Sequence, residues 1–175
     1  MDRSAFERRV LPHLDAGYNL ARWLLRGDTQ AEDAVQEAAL RAMRYFDTLQ
    51  GGDARPWFLG IVRNTCFDAL ARARQWPQTQ AYDDEDAAME TAVDSAPGPE
   101  ALLYEREIGA RVDAALRALP PPLREVVVLR ELEGLDYAAI ARIAGVPAGT
   151  VMSRLSRARE RLRHALAQDL ERGRA

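Results

Sequence analysis

The sequence predicts an all-α chain, two small helical domains joined by an acidic linker. Three observations carry that expectation. Apolar residues recur at three- and four-residue spacing in both halves, with no alternating strand pattern and no internal repeat. Gly, Pro and Asp punctuate the joins between these runs. Charge divides the 175 residues into three parts. Residues 1–76 hold 11 Arg against 10 acids, residues 77–100 hold 7 acids and no base, and residues 101–175 hold 13 Arg against 10 acids. The domains are placed at 1–76 and 105–170, with the linker over 77–104.

Composition narrows the function classes. No apolar run approaches the ~20 residues that span a bilayer, so membrane insertion is not expected. Met1 to Pro12 carries five charged residues and lacks the apolar stretch of a signal peptide, which points to a cytoplasmic protein. Cys66 is the single cysteine, so neither an internal disulfide nor a cysteine-rich zinc cage is expected. His13 and His164 are the only histidines, so metal chemistry has to rest on carboxylates; no metal or cofactor is expected. Every basic residue is Arg, a planar fork suited to phosphates and guanine edges.

In the first block, Asp28 is expected to cap a helix running to about Tyr45, with Glu32 and Asp33 near its positive end. Ala31, Val35, Ala38, Ala42 and Tyr45 form its expected buried stripe. Asp47 to Arg55 contains Gly51-Gly52 and reads as a loop. Pro56 then falls near the first turn of a helix that continues through Trp57 to Arg74. That helix is apolar around most of its circumference, as a central helix is. Between the blocks, Trp76 to Glu100 combines low apolarity, an acid run and Pro97-Gly98-Pro99, which oppose packing.

The second block begins near Ala101. Ile108, Val112, Leu116 and Leu119 trace one helical face, ended by Pro120-Pro121-Pro122. Leu123 to Leu132 makes a further helix, and Gly134 stops it. Asp136 is expected to cap a short helix, Tyr137 to Ala144, with Ile140 and Ile143 inward. Gly145 supplies a tight turn, Val146 plugs the angle, and Pro147 through Thr150 open the next helix. This is the layout of a helix-turn-helix.

Angular bookkeeping at ~100° per residue separates the faces of that last helix. Val151, Leu155, Ala158 and Leu162 fall within an arc of about 60° and form a narrow apolar seam. Thr150, Ser153, Arg154, Arg157 and Arg161 lie together on a polar face suited to a major groove. Arg159 and Arg163 flank it, placed for phosphates. Between Pro147 and Leu166 stand five Arg against the single Glu160.

Three stretches in order resemble the extracytoplasmic-function (ECF) group of bacterial sigma factors, over nearly the whole chain. They are AEDAVQEAALRA (Ala31–Ala42), PWFLGIVRNTCFDALARAR (Pro56–Arg74) and the stretch from Leu119 to Arg163. The resemblance implies that the first docks on the clamp coiled coil of core RNA polymerase, through Asp33, Gln36 and Glu37. It implies that the second melts and reads the −10 element. Trp57, Arg63, Asn64, Arg72 and Arg74 supply the stacking face, polar group and cations that a melted strand requires. Trp57 has a competing role in the core. The loop Asp47–Arg55 is implied to enclose an extruded base near Asn64. The third stretch is implied to read the −35 element through Thr150, Ser153, Arg154 and Arg157, with Arg159 and Arg161 beside them.

The partners so implied are core RNA polymerase, promoter DNA as duplex and as melted strand, and an anti-sigma factor as a further candidate. The acid run Asp83-Asp84-Glu85-Asp86 is implied to enter polymerase channels. Met152 departs from the family pattern, where many relatives carry a cation. No long extension follows Arg163, so a fused C-terminal regulatory domain is not expected. Two other classes compete. A self-sufficient repressor or activator needs a dimerisation seam, and a nuclease needs Asp83, Asp84, Glu85 and Asp86 as metal ligands. The expected protein is a binding factor and not an enzyme.

Overall fold

The computed structural model describes residues 2–49, 51–75 and 99–172, and all of its regular elements there are helical. The expectations for Gln50, for residues 76–98 and for the acid run Asp83–Asp86 lie outside the described residues.

The N-terminal half is built on four helices: α1 (Arg3–Val10), α2 (Leu14–Leu24), α3 (Asp28–Tyr45) and α4 (Ala54–Gln75). Asp2 caps α1, its carboxylate accepting from the Ala5 amide at 3.2 Å. As expected of a central helix, α4 packs on α1, α2 and α3. Phe58, Leu59, Val62 and Cys66 are its fully buried residues. The helices α2 and α4 come close because Gly17 has no side chain. A Cβ there would stand 2.9 Å from Phe58 Cε1 and 3.2 Å from Val62 Cγ2.

Several local expectations are corrected. Gly27, extended at φ −138° and ψ 143°, takes the cap position of α3, so Asp28 is already helical. The Asp28 carboxylate accepts instead from Arg22 Nε at 2.9 Å. The α3 stripe is Ala31, Ala34, Ala38 and Ala42, with Val35 half-buried, whereas Tyr45 is 58% exposed. Tyr45 is displaced because the short turn that follows, Phe46–Leu49, brings Phe46 and Leu49 inward, and Phe46 meets Phe6 edge-on at 5.5 Å. The expected loop is therefore shorter. Gly51 turns it at φ 75°, and α4 starts at Ala54 behind Asp53, whose carboxylate accepts from the Arg55 amide at 3.0 Å.

The C-terminal half contains α5 (Pro99–Ala118), α6 (Pro121–Val127), a wide π-type turn over Val128–Leu132, α7 (Tyr137–Ala144) and α8 (Ala148–Arg172). Helix α5 opens inside the 77–104 segment. Its expected apolar face is only half used: Leu116 and Leu119 are buried with Ala115, but Ile108 is 43% and Val112 36% exposed. Among the side chains of α5 described, from Arg106 onward, the buried ones lie in its last turns. The apolar run Leu123–Leu132 is buried as far as Leu129, but it is not one regular helix. The Glu133 amide reaches back to the Val128 carbonyl at 3.0 Å, which widens the turn before Gly134 (φ 66°) ends it.

The two halves touch. Helix α7 packs on α4 and α6 on α2, and the buried apolar residues of both halves form one contiguous cluster. Polar ties cross the same seam. Arg55 Nη2 donates to the Glu133 carboxylate at 2.8 Å and carbonyl at 2.9 Å, and Asn19 Nδ2 donates to Glu133 Oε1 at 2.6 Å.

Candidate nucleic-acid interface

The helix-turn-helix follows from local chemistry. The Asp136 carboxylate accepts from the Ala139 amide at 2.7 Å and starts α7. Gly145 adopts φ 67° and ψ 34°, a left-handed conformation that glycine takes without strain, and ends it. The Pro147 carbonyl accepts from the Thr150 amide at 2.9 Å as α8 begins. Val151, Leu155 and Ala158 are buried, and Leu162 packs partly against them, which is the seam expected from spacing.

That seam fixes which side of α8 faces out. Ser153, Arg157 and Arg161 are exposed together, and Thr150 is half-buried at the helix start. Ser153 Oγ donates to the Thr150 carbonyl at 3.0 Å, and Arg157 Nε donates to the Ser153 carbonyl at 3.3 Å. Met152 is 50% exposed. Arg159 pairs with Glu131 at 2.7 Å on the flank, and that carboxylate holds its guanidinium above the usual range. Arg154 differs from its neighbours: it turns inward, and its Nη1 donates to Glu125 Oε1 at 3.1 Å.

The strand-binding candidates on α4 divide in the same way. Asn64, Arg72 and Arg74 are exposed, whereas Trp57 is half-buried against the core. Arg63 turns toward the other half. Its Nε donates to Glu125 Oε2 at 2.8 Å, its Nη1 to Asn64 Oδ1 at 3.3 Å, and its guanidinium lies 4.0 Å over the Phe67 ring. Glu125 is fully buried. Burial pushes its carboxyl above the usual range, while the Arg63 hydrogen bond and the Arg63 and Arg154 charges pull it back.

On α3, Asp33, Gln36 and Glu37 are exposed, as a docking face requires. Glu37 accepts from Arg41 Nε at 2.8 Å, and Arg41 also reaches Asp68 of α4 at 3.0 Å. The reading by spacing missed the apolar members of that face, Leu40 at 56% and Met43 at 37% exposure. They fall outside the alanine stripe, which was the available signal. It also missed Glu125 and Glu133, which nothing in the spacing distinguishes from surface acids.

Two helical bodies, the second presenting an arginine-bearing helix-turn-helix, define a helical DNA-binding factor. The comparisons narrow the class. The Sigma-70 region 2 family matches residues 9–76 and the Sigma-70 region 4 family matches residues 109–162. The RNA polymerase sigma-H factor of Pseudomonas aeruginosa is 35% identical over 94% of this chain and 88% of its own length. The ECF RNA polymerase sigma-E factor of Escherichia coli is 35% identical over 91% of this chain and 85% of its own. The ECF RNA polymerase sigma factor SigE of Mycolicibacterium smegmatis is also 35% identical over 94% of this chain, which spans 62% of that relative. Among solved structures, the sigma factor RpoE in complex with the anti-sigma factor NepR from Bartonella quintana has a TM-score of 0.73 at 27% identity, covering 93% of this chain and 97% of that one. The chain belongs to the ECF family of RNA polymerase sigma factors.

Proposed function

We propose that this chain docks on core RNA polymerase, brings it to a promoter and helps open the duplex there, performing no chemistry itself and acting in the cytoplasm. The observation that carries this reading is the ordered pair of matches, region 2 followed by region 4, on a chain whose last long helix exposes Ser153, Arg157 and Arg161 above a buried seam. Residues 1–76 carry the docking and −10 functions, 77–104 the linker, and 105–170 the −35 function. Asp33, Gln36 and Glu37, with Leu40 and Met43, meet the polymerase. Trp57, Arg63, Asn64, Arg72 and Arg74 handle the melted strand. Thr150, Ser153, Arg157, Arg159 and Arg161 face the upstream duplex, with Arg154 turned inward behind them on Glu125. An anti-sigma factor is a second partner, supported by the one bound to RpoE of Bartonella quintana.

Transcription reconstituted from core polymerase, this chain and a library of genomic fragments tests the reading. Discrete start sites are expected only when both proteins are present; failure to associate with core enzyme ends the interpretation. Arg157→Ala is expected to lose about 1–3 kcal/mol at a cognate promoter through a lost base contact. An equal loss on all sequences reassigns Arg157 to phosphate.

A further inference from the structure

The first two turns of α8, Ala148 to Leu155, are the part of a recognition helix that lies nearest the base edges. What they turn outward is not cationic. Arg154, the only Arg in that stretch, has a side chain 20% exposed, and it donates to Glu125 Oε1 at 3.1 Å. Arg157, the next cation, stands beyond those turns. Val151 and Leu155 are buried in the seam, and Thr150 is half-buried. The exposed residues are Ala148, Gly149, Met152 and Ser153. A Cβ at Gly149 would meet nothing within 4 Å, so the helix backbone is open on that side. Ser153 gives its hydroxyl proton to the Thr150 carbonyl at 3.0 Å, which leaves its oxygen with acceptor capacity alone. Met152, 50% exposed, is the longest of these exposed side chains, and it is apolar.

A thioether does not read the strong donors and acceptors of base edges as a guanidinium does. The major groove carries one apolar feature, the C5 methyl group of thymine, and apolar side chains recognise thymine through it. Methionine suits that contact, because an unbranched chain with three rotatable bonds and a polarizable sulfur adapts to the surface it meets. The surroundings favour close approach. Gly149 lies one turn before Met152 and the exposed Ser156 one turn after it, so small residues stand above and below it on the helix.

We propose that Met152 is a specificity-determining residue: its side chain packs on the C5 methyl of one thymine in the upstream element, so that this chain selects thymine there by an apolar contact. The proposal rests on the functional reading above.

The test uses the full chain assembled with core polymerase, on a promoter recovered from the fragment library. Each thymine of the upstream element, on either strand, is replaced in turn by deoxyuridine, which removes the C5 methyl and nothing else. Promoter binding by wild type and by Met152→Ala is compared at fixed salt. The substituted side chain is exposed and alanine favours helix, so the variant keeps its fold, which circular dichroism checks. Wild type is expected to lose about fourfold at one thymine, the worth of one buried methyl group. Met152→Ala is expected to bind thymine DNA more weakly and to lose nothing further at that position. Wild-type binding indifferent to every deoxyuridine overturns the proposal. So does a methyl effect of the same size in Met152→Ala, which assigns the contact to another residue, or a Met152→Ala loss of the same size on all DNA, which assigns Met152 to the backbone or to a protein surface. If wild type does not associate with core enzyme, the functional reading falls alone, and the same comparison is made on duplexes that the full chain itself selects at low salt. Selection that enriches no sequence then overturns the proposal as well.

Discussion

Arg124 is a buried cation that pairs with no carboxylate among the described residues. Its Nε donates to the Leu116 carbonyl at 3.0 Å, its Nη2 to Arg117 at 2.6 Å and Leu119 at 2.7 Å, and its Nη1 crosses to Trp23 at 2.7 Å. Those carbonyls lie at or just beyond the ends of α5 and α2, where the helix dipole is negative, so one guanidinium serves two helix C-termini at once. Burial, then the charges of Arg26 and Arg117, lower its pKa, yet arginine keeps its proton in proteins. Arg124→Met is expected to lower stability by about 3 kcal/mol, because the carbonyls lose a charged donor that water does not easily replace. A shift of the urea midpoint worth less than about 1 kcal/mol would show that they find other donors. Cys66 gives a second residue-scale prediction. Burial pushes its thiol up to about 12, so the native chain should not react with a disulfide reagent at pH 8, and one thiol per chain should appear in urea. The sign follows: the fold favours the neutral thiol, so this contribution to stability is fully present below the unfolded-chain pKa of about 8.5 and is lost as pH rises through the folded value. Neither residue's role was legible in the sequence. Arg124 and Glu125 interrupt an apolar run, where periodicity registers two charges and says nothing of the carbonyls or guanidiniums opposite them.

Elements were legible in proportion to how local their causes are. Helix α7 has its bounds where they were expected, because the cap at Asp136 and the glycine at 145 act within one turn of the residues they organise. The seam of α8 was equally readable, since a 3.6-residue period fixes which side is buried. The outward side was read as one surface, but Arg154 leaves it for Glu125, a partner 29 positions away. The close approach of α2 to α4 was not anticipated, because nothing near Gly17 in sequence reveals that Phe58 lies against it. In an open helix, replacing glycine by alanine gains up to about 1 kcal/mol. Here a methyl group would sit 2.9 Å from a ring atom of the fully buried Phe58. Gly17→Val is therefore expected to destabilise by about 2 kcal/mol through overpacking and its poorer helix propensity. A thermal midpoint equal to or above that of wild type would show that Phe58 has room to move.

At the scale of the molecule, the seam decides whether the chain behaves as one body or two. The sequence separates its halves by an acidic stretch, and each half resembles a self-contained piece of a sigma factor, so nothing local announces that they pack together. Yet α4 faces α7, α2 faces α6, and their apolar residues belong to one cluster. Trp23 reports on this junction directly. Its carbonyl accepts from Arg124, and Arg117 lies 5.8 Å from its ring, both across the seam. Exposing one half removes partners from the other, which couples the two transitions. The free chain is therefore expected to unfold in urea as a single event, with tryptophan fluorescence and far-ultraviolet circular dichroism tracing the same curve. Glu133→Ala should lower that common midpoint, because it strands Asn19 at the seam and leaves Arg55 only the carbonyl of residue 133. Curves that separate in the wild type would mean that each half holds its own fold, with the seam adding too little to join them; curves that separate only in Glu133→Ala would measure how much of the joining those polar ties supply.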